Sequence, residues 1–260
     1  MIYIDQLNRK IQLEETPNRI ISLVPSQTEL LVDLGLIDSI VGITKFCIHP
    51  KELLKQKTVV GGTKNINLQK IKKLNPDIIL CNKEENSKEI IDALKEIAPI
   101  HVSDIYDIDD VYQLINSYGK LFQVDKKAAL LVKSIKDERE QFQIETKESS
   151  KKKAAYFIWK KPWMVAGLNT YIDYMLGEAG FENVFKAQTR YPEVKLDNLR
   201  LKEVEIIILS SEPFPFKDVH IKEMNILFPN KKIIVVDGEM FSWYGSRLKY
   251  AYNYFRTLSH

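Results

Sequence analysis

Cysteine is nearly absent: 260 residues carry two, Cys47 and Cys81. Two cysteines make no disulfide framework, and no Cys-x-x-Cys pair is present for zinc or redox chemistry. The count leaves the redox compartment open. No apolar run approaches about 18 residues, so no membrane-spanning helix is expected. The opening, Met1-Ile2-Tyr3-Ile4-Asp5-Gln6, has no basic segment followed by an apolar one, and no signal peptide reads from it. An excess of one charge is missing too. Lys and Arg number 38 against 35 for Asp and Glu, a formal net charge of +3. That balance argues against a nucleic-acid partner, which needs local basic clustering. The one tight basic run, Lys151-Lys152-Lys153, reads as a solvated loop. Nucleotide and hydrolase signatures are also lacking. Val24-Pro25-Ser26-Gln27 stands where a glycine-rich dinucleotide fingerprint would follow the first strand. There is no Walker A sequence, no Gly-x-Ser-x-Gly elbow and no His-Glu-x-x-His.

What is present is ordinary globular composition, 45% hydrophobic and 28% charged. Residues 2–13 alternate loosely and suggest a hairpin around Asn8. Arg19 to Val24 reads as a buried strand. Ser26 is placed to cap the next helix, with Glu29 in the capping-box position and Gly35 as its C′ residue. Further strands are expected near 39–43, 77–81 and 101–102, and helices over 68–74, 87–97 and 108–122. From Asp125 to Lys147 there is neither proline nor glycine, and Ala128, Leu131, Val132 and Ile135 form an apolar stripe. This predicts one long helix. Alternation then restarts: strands at 154–159, 205–209 and 232–236, a helix over 170–179, and a last helix with Leu248, Ala251, Tyr252 and Phe255 as its stripe. Thr28 to Gly35 can be laid beside Asp173 to Gly180, and Leu68 to Leu80 beside Leu196 to Leu209, a hint of duplication. The expected fold is α/β: two Rossmann-like lobes with mostly parallel sheets, joined by one long rigid helix. The expected boundaries are 1–122 for the amino-terminal lobe, 123–148 for the helix and 149–260 for the carboxy-terminal lobe. A cleft between two such lobes is the default ligand site.

Aromatic residues stand where parallel sheets place ligands, just after strands. Phe46 is one, Trp159 and Trp163 follow the 154–159 strand, Phe214 and Phe216 follow Ser210-Ser211-Glu212-Pro213, and Trp243 and Tyr244 follow Asp237. Each alone is as well explained by packing; together they suggest an aromatic-lined site for a large planar or greasy ligand. Lys45, Lys160, Lys161 and Arg247 are candidate positive charges. Arg247 sits at the start of the last helix, the end that disfavours cations, and a ligand carboxylate or phosphate would account for it. Cys47 and His49 lie two apart and could touch one soft metal if extended, but two ligands are not a site, and packing is the plainer reading.

The run Arg19-Ile-Ile-Ser-Leu-Val-Pro25-Ser26-Gln27-Thr28-Glu29-Leu30 resembles the opening of the cobalamin- and iron-siderophore-binding proteins of ABC importers, the helical-backbone metal receptors. Val59-Val60-Gly61-Gly62, Asn67-Leu68, Leu74-Asn75-Pro76-Asp77-Ile78-Ile79, Ala166-Gly167, Gly180-Phe181-Glu182-Asn183-Val184-Phe185 and Trp243-Tyr244-Gly245-Ser246-Arg247 extend the likeness over about 19–258. The likeness is nearest to the vitamin B12-binding branch. The resemblance implies a non-enzymatic, monomeric binding protein in the periplasm or at the cell surface. Its ligand would be cobalamin, a cobamide or a ferric siderophore, with no catalytic cofactor. The implied contacts are Pro25, Ser26, Phe46, Trp159, Trp163, Phe214, Trp243, Tyr244 and Arg247, with no protein-held metal. Delivery would be to an ABC permease, docked through surface carboxylates: Glu85 or Glu89 in the first lobe, Glu212 or Glu223 in the second. The alternative is a cytoplasmic metal-cofactor enzyme, chaperone or sensor on the same scaffold.

Overall fold

Short runs of β-branched residues bounded by turn residues form the strands in this computed structural model, which describes residues 1–258. The chain divides into two compact units. Unit 1 holds Met1–Lys136 and Tyr244–Arg247; unit 2 holds Asp137–Trp243 and the chain from Leu248 onward.

Unit 1 opens with the antiparallel hairpin β1 (Ile2–Ile4) and β2 (Lys10–Gln12). Asn8, at φ 58°, makes the left-handed turn that the sequence placed there. The chain then runs β3 (Ile20–Ser22), α1 (Pro25–Asp33), β4 (Ile40–Ile43), α2 (Leu53–Gln56), β5 (Thr58–Val59), α3 (Leu68–Lys73), β6 (Ile78–Asn82), α4 (Lys88–Leu94), β7 (Ile100–Ser103) and α5 (Ile108–Leu121). The sheet order is β5-β4-β3-β6-β7, parallel throughout. Ile21, Leu23, Ile79, Cys81 and Val102 are fully buried in its core, as strands covered on both faces require. The capping box expected at Ser26 does not form. Helix α1 begins at Pro25, its N-cap is Val24, and no side chain caps it. Proline suits N1 because its φ is pre-set for the helix and the N–H it lacks is one that the first turn leaves unpaired, and Ser26 is buried inside that turn.

The long helix is α6 (Asp125–Glu145), 21 residues and so roughly 30 Å. Its residues up to Lys136 belong to unit 1 and those from Asp137 to unit 2. Arg139 on α6 pairs bidentately with Glu178, at 2.6 and 2.9 Å.

Unit 2 runs β8 (Lys152–Trp159), β9 (Met164–Val165), α7 (Tyr171–Glu178), β10 (Phe181–Asn183), α8 (Arg200–Glu203), β11 (Ile206–Ser210), α9 (Asp218–Leu227), β12 (Lys232–Val236), α10 (Glu239–Ser242) and α11 (Leu248–Leu258). The order β10-β8-β11-β12 is parallel, and β9 adds antiparallel to β8. This repeats the order β4-β3-β6-β7 of unit 1 strand for strand. Helices α1 and α7 occupy equivalent places, each followed by a glycine with positive φ: Gly35 at 80° and Gly180 at 85°. The second half of the sequence comparison is only partly realised. Leu68 to Leu80 gives α3 and β6, whereas Leu196 to Leu209 gives a single turn, α8, before β11.

Candidate binding site

In a parallel sheet the carboxyl ends of all strands open on one edge, and the loops there are free to carry ligand contacts. In unit 1, α1 follows directly on β3 and brings Gln27 over that edge. The Gln27 amide donates to Ser103 Oγ at 2.6 Å and to the Tyr244 hydroxyl at 3.0 Å, and its oxygen accepts from the Tyr118 hydroxyl at 2.6 Å. Asn82 donates to the same Ser103 Oγ at 2.9 Å. One buried network thus ties α1, α5, β6, β7 and the 244–247 segment together, every polar group with a partner. Burial pushes the Tyr244 phenol above its ordinary value.

Arg247 is buried and pairs with Glu29 through one hydrogen bond, Nε to Oε2 at 3.0 Å, and an ionic contact of Nη2 with Oε1 at 2.7 Å. Glu29 therefore supplies the carboxylate that the sequence suggested a ligand would bring. It is also the residue that the expected capping box would have used. Burial raises the Glu29 carboxyl pKa, and Arg247 opposes that shift. Cys47 is fully buried, its Sγ 3.1 Å from Thr28 Oγ1 and 3.2 Å from Thr44 Oγ1. Burial raises its pKa and pushes that of Cys81 up to about 12, so both thiols stay protonated at neutral pH. Cys47 is thus a packed, hydrogen-bonded side chain. Among the described residues no group of three His, Cys, Asp or Glu could hold a metal ion.

Beyond β4 and β5 a groove of about 1010 Å³ lies between Lys45-Phe46 and residues 61–69. The Phe46 ring is 48% exposed, and the Lys45 ammonium stands 5.0 Å from its centroid. The far wall is a built loop. Gly61, at φ 132°, accepts from the Lys45 N–H at 2.8 Å, and any Cβ there would lie 2.4 Å from the Asn65 carbonyl oxygen. Buried Asn86 donates to the Thr63 carbonyl at 2.9 Å and holds the loop from below.

In unit 2, Trp159 ends β8, Trp163 sits in the turn to β9, and Phe214 and Phe216 follow β11. The structure gathers these rings into one cluster. Trp159 meets Phe214 edge-on at 5.7 Å, Trp163 stacks on Phe216 at 5.9 Å with 11° between planes, and Phe214 lies 4.7 Å from Phe216. His220 of α9 closes the cluster at 5.4 and 5.3 Å from the two phenylalanines. Trp159 remains 39% exposed, while Phe216 is buried. Lys160 stands 5.4 Å from the Trp163 centroid and is neutralised by Glu223; Lys161 is exposed.

The expected contacts thus fall into two groups. Phe46, Trp159, Trp163 and Phe214 present rings at strand ends. Pro25, Ser26, Tyr244 and Arg247 are buried within unit 1, and Trp243 is buried within unit 2. Trp243 turns its indole N–H onto Glu212, which also accepts from Ser242 Oγ. Glu212 is consequently a half-buried carboxylate already engaged by its neighbours, and burial raises its pKa. Glu223 is engaged by Lys160, Glu85 is half-buried, and Glu89 alone of the four is exposed in the first turn of a helix, α4. Sequence reasoning missed the buried network of Gln27, Ser103 and Tyr118, and it missed the 61–69 wall of the groove. The signals for that wall were the segments Gly61-Gly62 and Asn67-Leu68.

The periplasmic binding protein family model matches residues 20–226. The chain belongs to that family. It is 32% identical over 199 residues to the uncharacterized ABC transporter substrate-binding lipoprotein YvrC of Bacillus subtilis, covering 73% of this chain and 62% of that protein. The chain therefore spans less than two thirds of that relative's length. It is 25% identical over 201 residues to the vitamin B12-binding protein of Vibrio parahaemolyticus, covering 75% of this chain and 72% of the other. A solved structure of a possible iron-binding (periplasmic solute-binding) protein from Staphylococcus epidermidis superposes with a TM-score of 0.78 at 25% identity, over 94% of this chain and 98% of that one. The periplasmic vitamin B12 binding protein BtuF of Vibrio cholerae shares the fold with a TM-score of 0.78 at 21% identity, over 94% and 97% of the two chains. The family is one of binding proteins, not of enzymes.

Proposed function

We propose that this protein is the substrate-binding component of an ABC importer, working outside the cytoplasm as a monomer, and that its cargo is a bulky metal chelate: cobalamin, a related cobamide or a ferric siderophore. The observation that carries this reading is the placing of aromatic faces at strand ends, Phe46 in unit 1 and the Trp159–Trp163–Phe214 cluster in unit 2. Flat, partly exposed rings suit a large ligand with extended apolar faces, because they bury much area and lose little side-chain freedom. The names of two similar proteins, a vitamin B12-binding protein and a possible iron-binding protein, agree with this choice. The chelate is cargo, so the protein has only to hold it and release it to a permease; no bond need be made or broken. Titration calorimetry and tryptophan fluorescence test the reading. Cobalamin, a cobamide or a ferric siderophore should bind with a Kd near or below ~1 μM and quench Trp159, with free divalent metal binding weakly. If only sugars or amino acids bind, the reading is wrong.

A further inference from the structure

The groove of unit 1 has a sign. Its wall and floor, Lys45-Phe46 and residues 61–69, contain two ammonium groups, those of Lys45 and Lys64, and no carboxylate. Both lysines are exposed, and neither is in an ion pair among the described residues. The same lining carries apolar faces, the Phe46 ring and the 40% exposed side chain of Leu68. The geometry is held before any ligand arrives. The Lys45 backbone bonds Gly61, the Gly62 N–H donates to the Asn65 carbonyl at 2.7 Å, and Asn86 fixes Thr63 from below. A fixed loop presenting unpaired cations beside apolar surface discriminates by charge, because an anionic group gains a partner there that an uncharged group does not.

Building on the function proposed above, we infer that this groove takes the anionic rim of the cargo, and that the protein selects chelates bearing carboxylate or catecholate groups over uncharged ones of the same shape. Lys45 and Lys64 are then specificity-determining residues, and Phe46 and Leu68 the surface on which the charged rim lies. Exposed ion pairs are individually weak, so two of them set a preference of about three- to tenfold rather than absolute selection.

Matched pairs test this. Cyanocobalamin is compared with its monocarboxylic acid, which differs in one amide hydrolysed to a carboxylate. A ferric tricatecholate, which is anionic, is compared with a ferric trihydroxamate, which is not. Dissociation constants are measured for the wild-type protein and the Lys45→Gln/Lys64→Gln double variant, at low and high salt. The expected result is tighter binding of the anionic member wherever a pair binds, a preference that shrinks at high salt and disappears in the double variant. Equal binding within the pairs, or a preference that survives in the double variant, overturns the inference while leaving the chelate reading intact. Failure of all four compounds to bind overturns both.

Discussion

His101 shows what a single buried side chain implies. It lies on β7, fully buried, with neither ring nitrogen hydrogen-bonded among the described residues and its ring edge-on to Tyr118 at 5.2 Å. Burial holds its pKa down from 6.5 to about 4; nearby Asp5 pulls the other way, and Arg9 adds slightly to the depression. The fold therefore prefers the neutral ring. Stability from this residue is complete above pH 6.5, falls as the pH drops below it, and is gone once the pH passes below about 4. The span corresponds to roughly 3 kcal/mol. Urea unfolding between pH 7 and pH 4 should show this loss, and His101→Phe should flatten that part of the profile. An unchanged slope in the variant would assign the acid sensitivity to other groups. Residues of this kind were not legible in the sequence. Gln27 meets Tyr244 across 217 residues and Arg247 meets Glu29 across 218. Local spacing carries no trace of such partners, which is why Arg247 looked like a ligand contact.

Elements were legible where burial is one-sided and periodic. The stripe Leu248, Ala251, Tyr252 and Phe255 is buried in α11 as its spacing demands, and the run without proline or glycine became α6. Helix α9 escaped because only Met224 is fully buried in it, so its sequence shows no stripe. Strands β5, β9 and β10 escaped because two or three residues cannot show alternation. The two C′ glycines were legible from their place after α1 and α7, and they offer a paired test. Alanine at either position must adopt a left-handed conformation, a cost of about 1–2 kcal/mol. At Gly180 nothing lies within 4 Å of the new methyl group, and at Gly35 the three nearest atoms all belong to the flexible side chain of Lys127. Gly35→Ala and Gly180→Ala should therefore destabilise the protein to a similar extent in chemical denaturation, with asparagine costing less at both. A much larger loss at Gly35 would mean that Lys127 cannot yield.

For the whole molecule, the repeated strand order of the two units was foreshadowed by the loose match of their sequences, and the post-strand aromatic positions were readable as soon as the strands were. What the sequence could not order was the set of carboxylates for a permease. Exposure and pairing decide which of them a partner can reach, and these depend on tertiary neighbours. Glu89 is open to solvent, whereas Glu212 and Glu223 are occupied. We propose Glu89 as the docking carboxylate of unit 1. Glu89→Lys should weaken binding to the cognate permease in nanodiscs by about two- to tenfold at low salt and less at high salt, with ligand affinity unchanged. Equal permease binding by wild type and variant removes Glu89 from the interface.

The assignment of Tyr244–Arg247 to unit 1 sets the order of events at the ribosome. The first 136 residues emerge first, yet the guanidinium that satisfies Glu29 and the phenol that completes the Gln27 network follow residues 137–243 of unit 2. Until then the nascent unit carries a carboxylate meant for a buried ion pair with no cation to meet it, and removing one partner from such a pair typically costs about 3–5 kcal/mol. Unit 1 therefore acquires its last fastening only after residues 137–243 of unit 2 have been made, and a gene cut after residue 136 encodes a fragment without Tyr244 and Arg247.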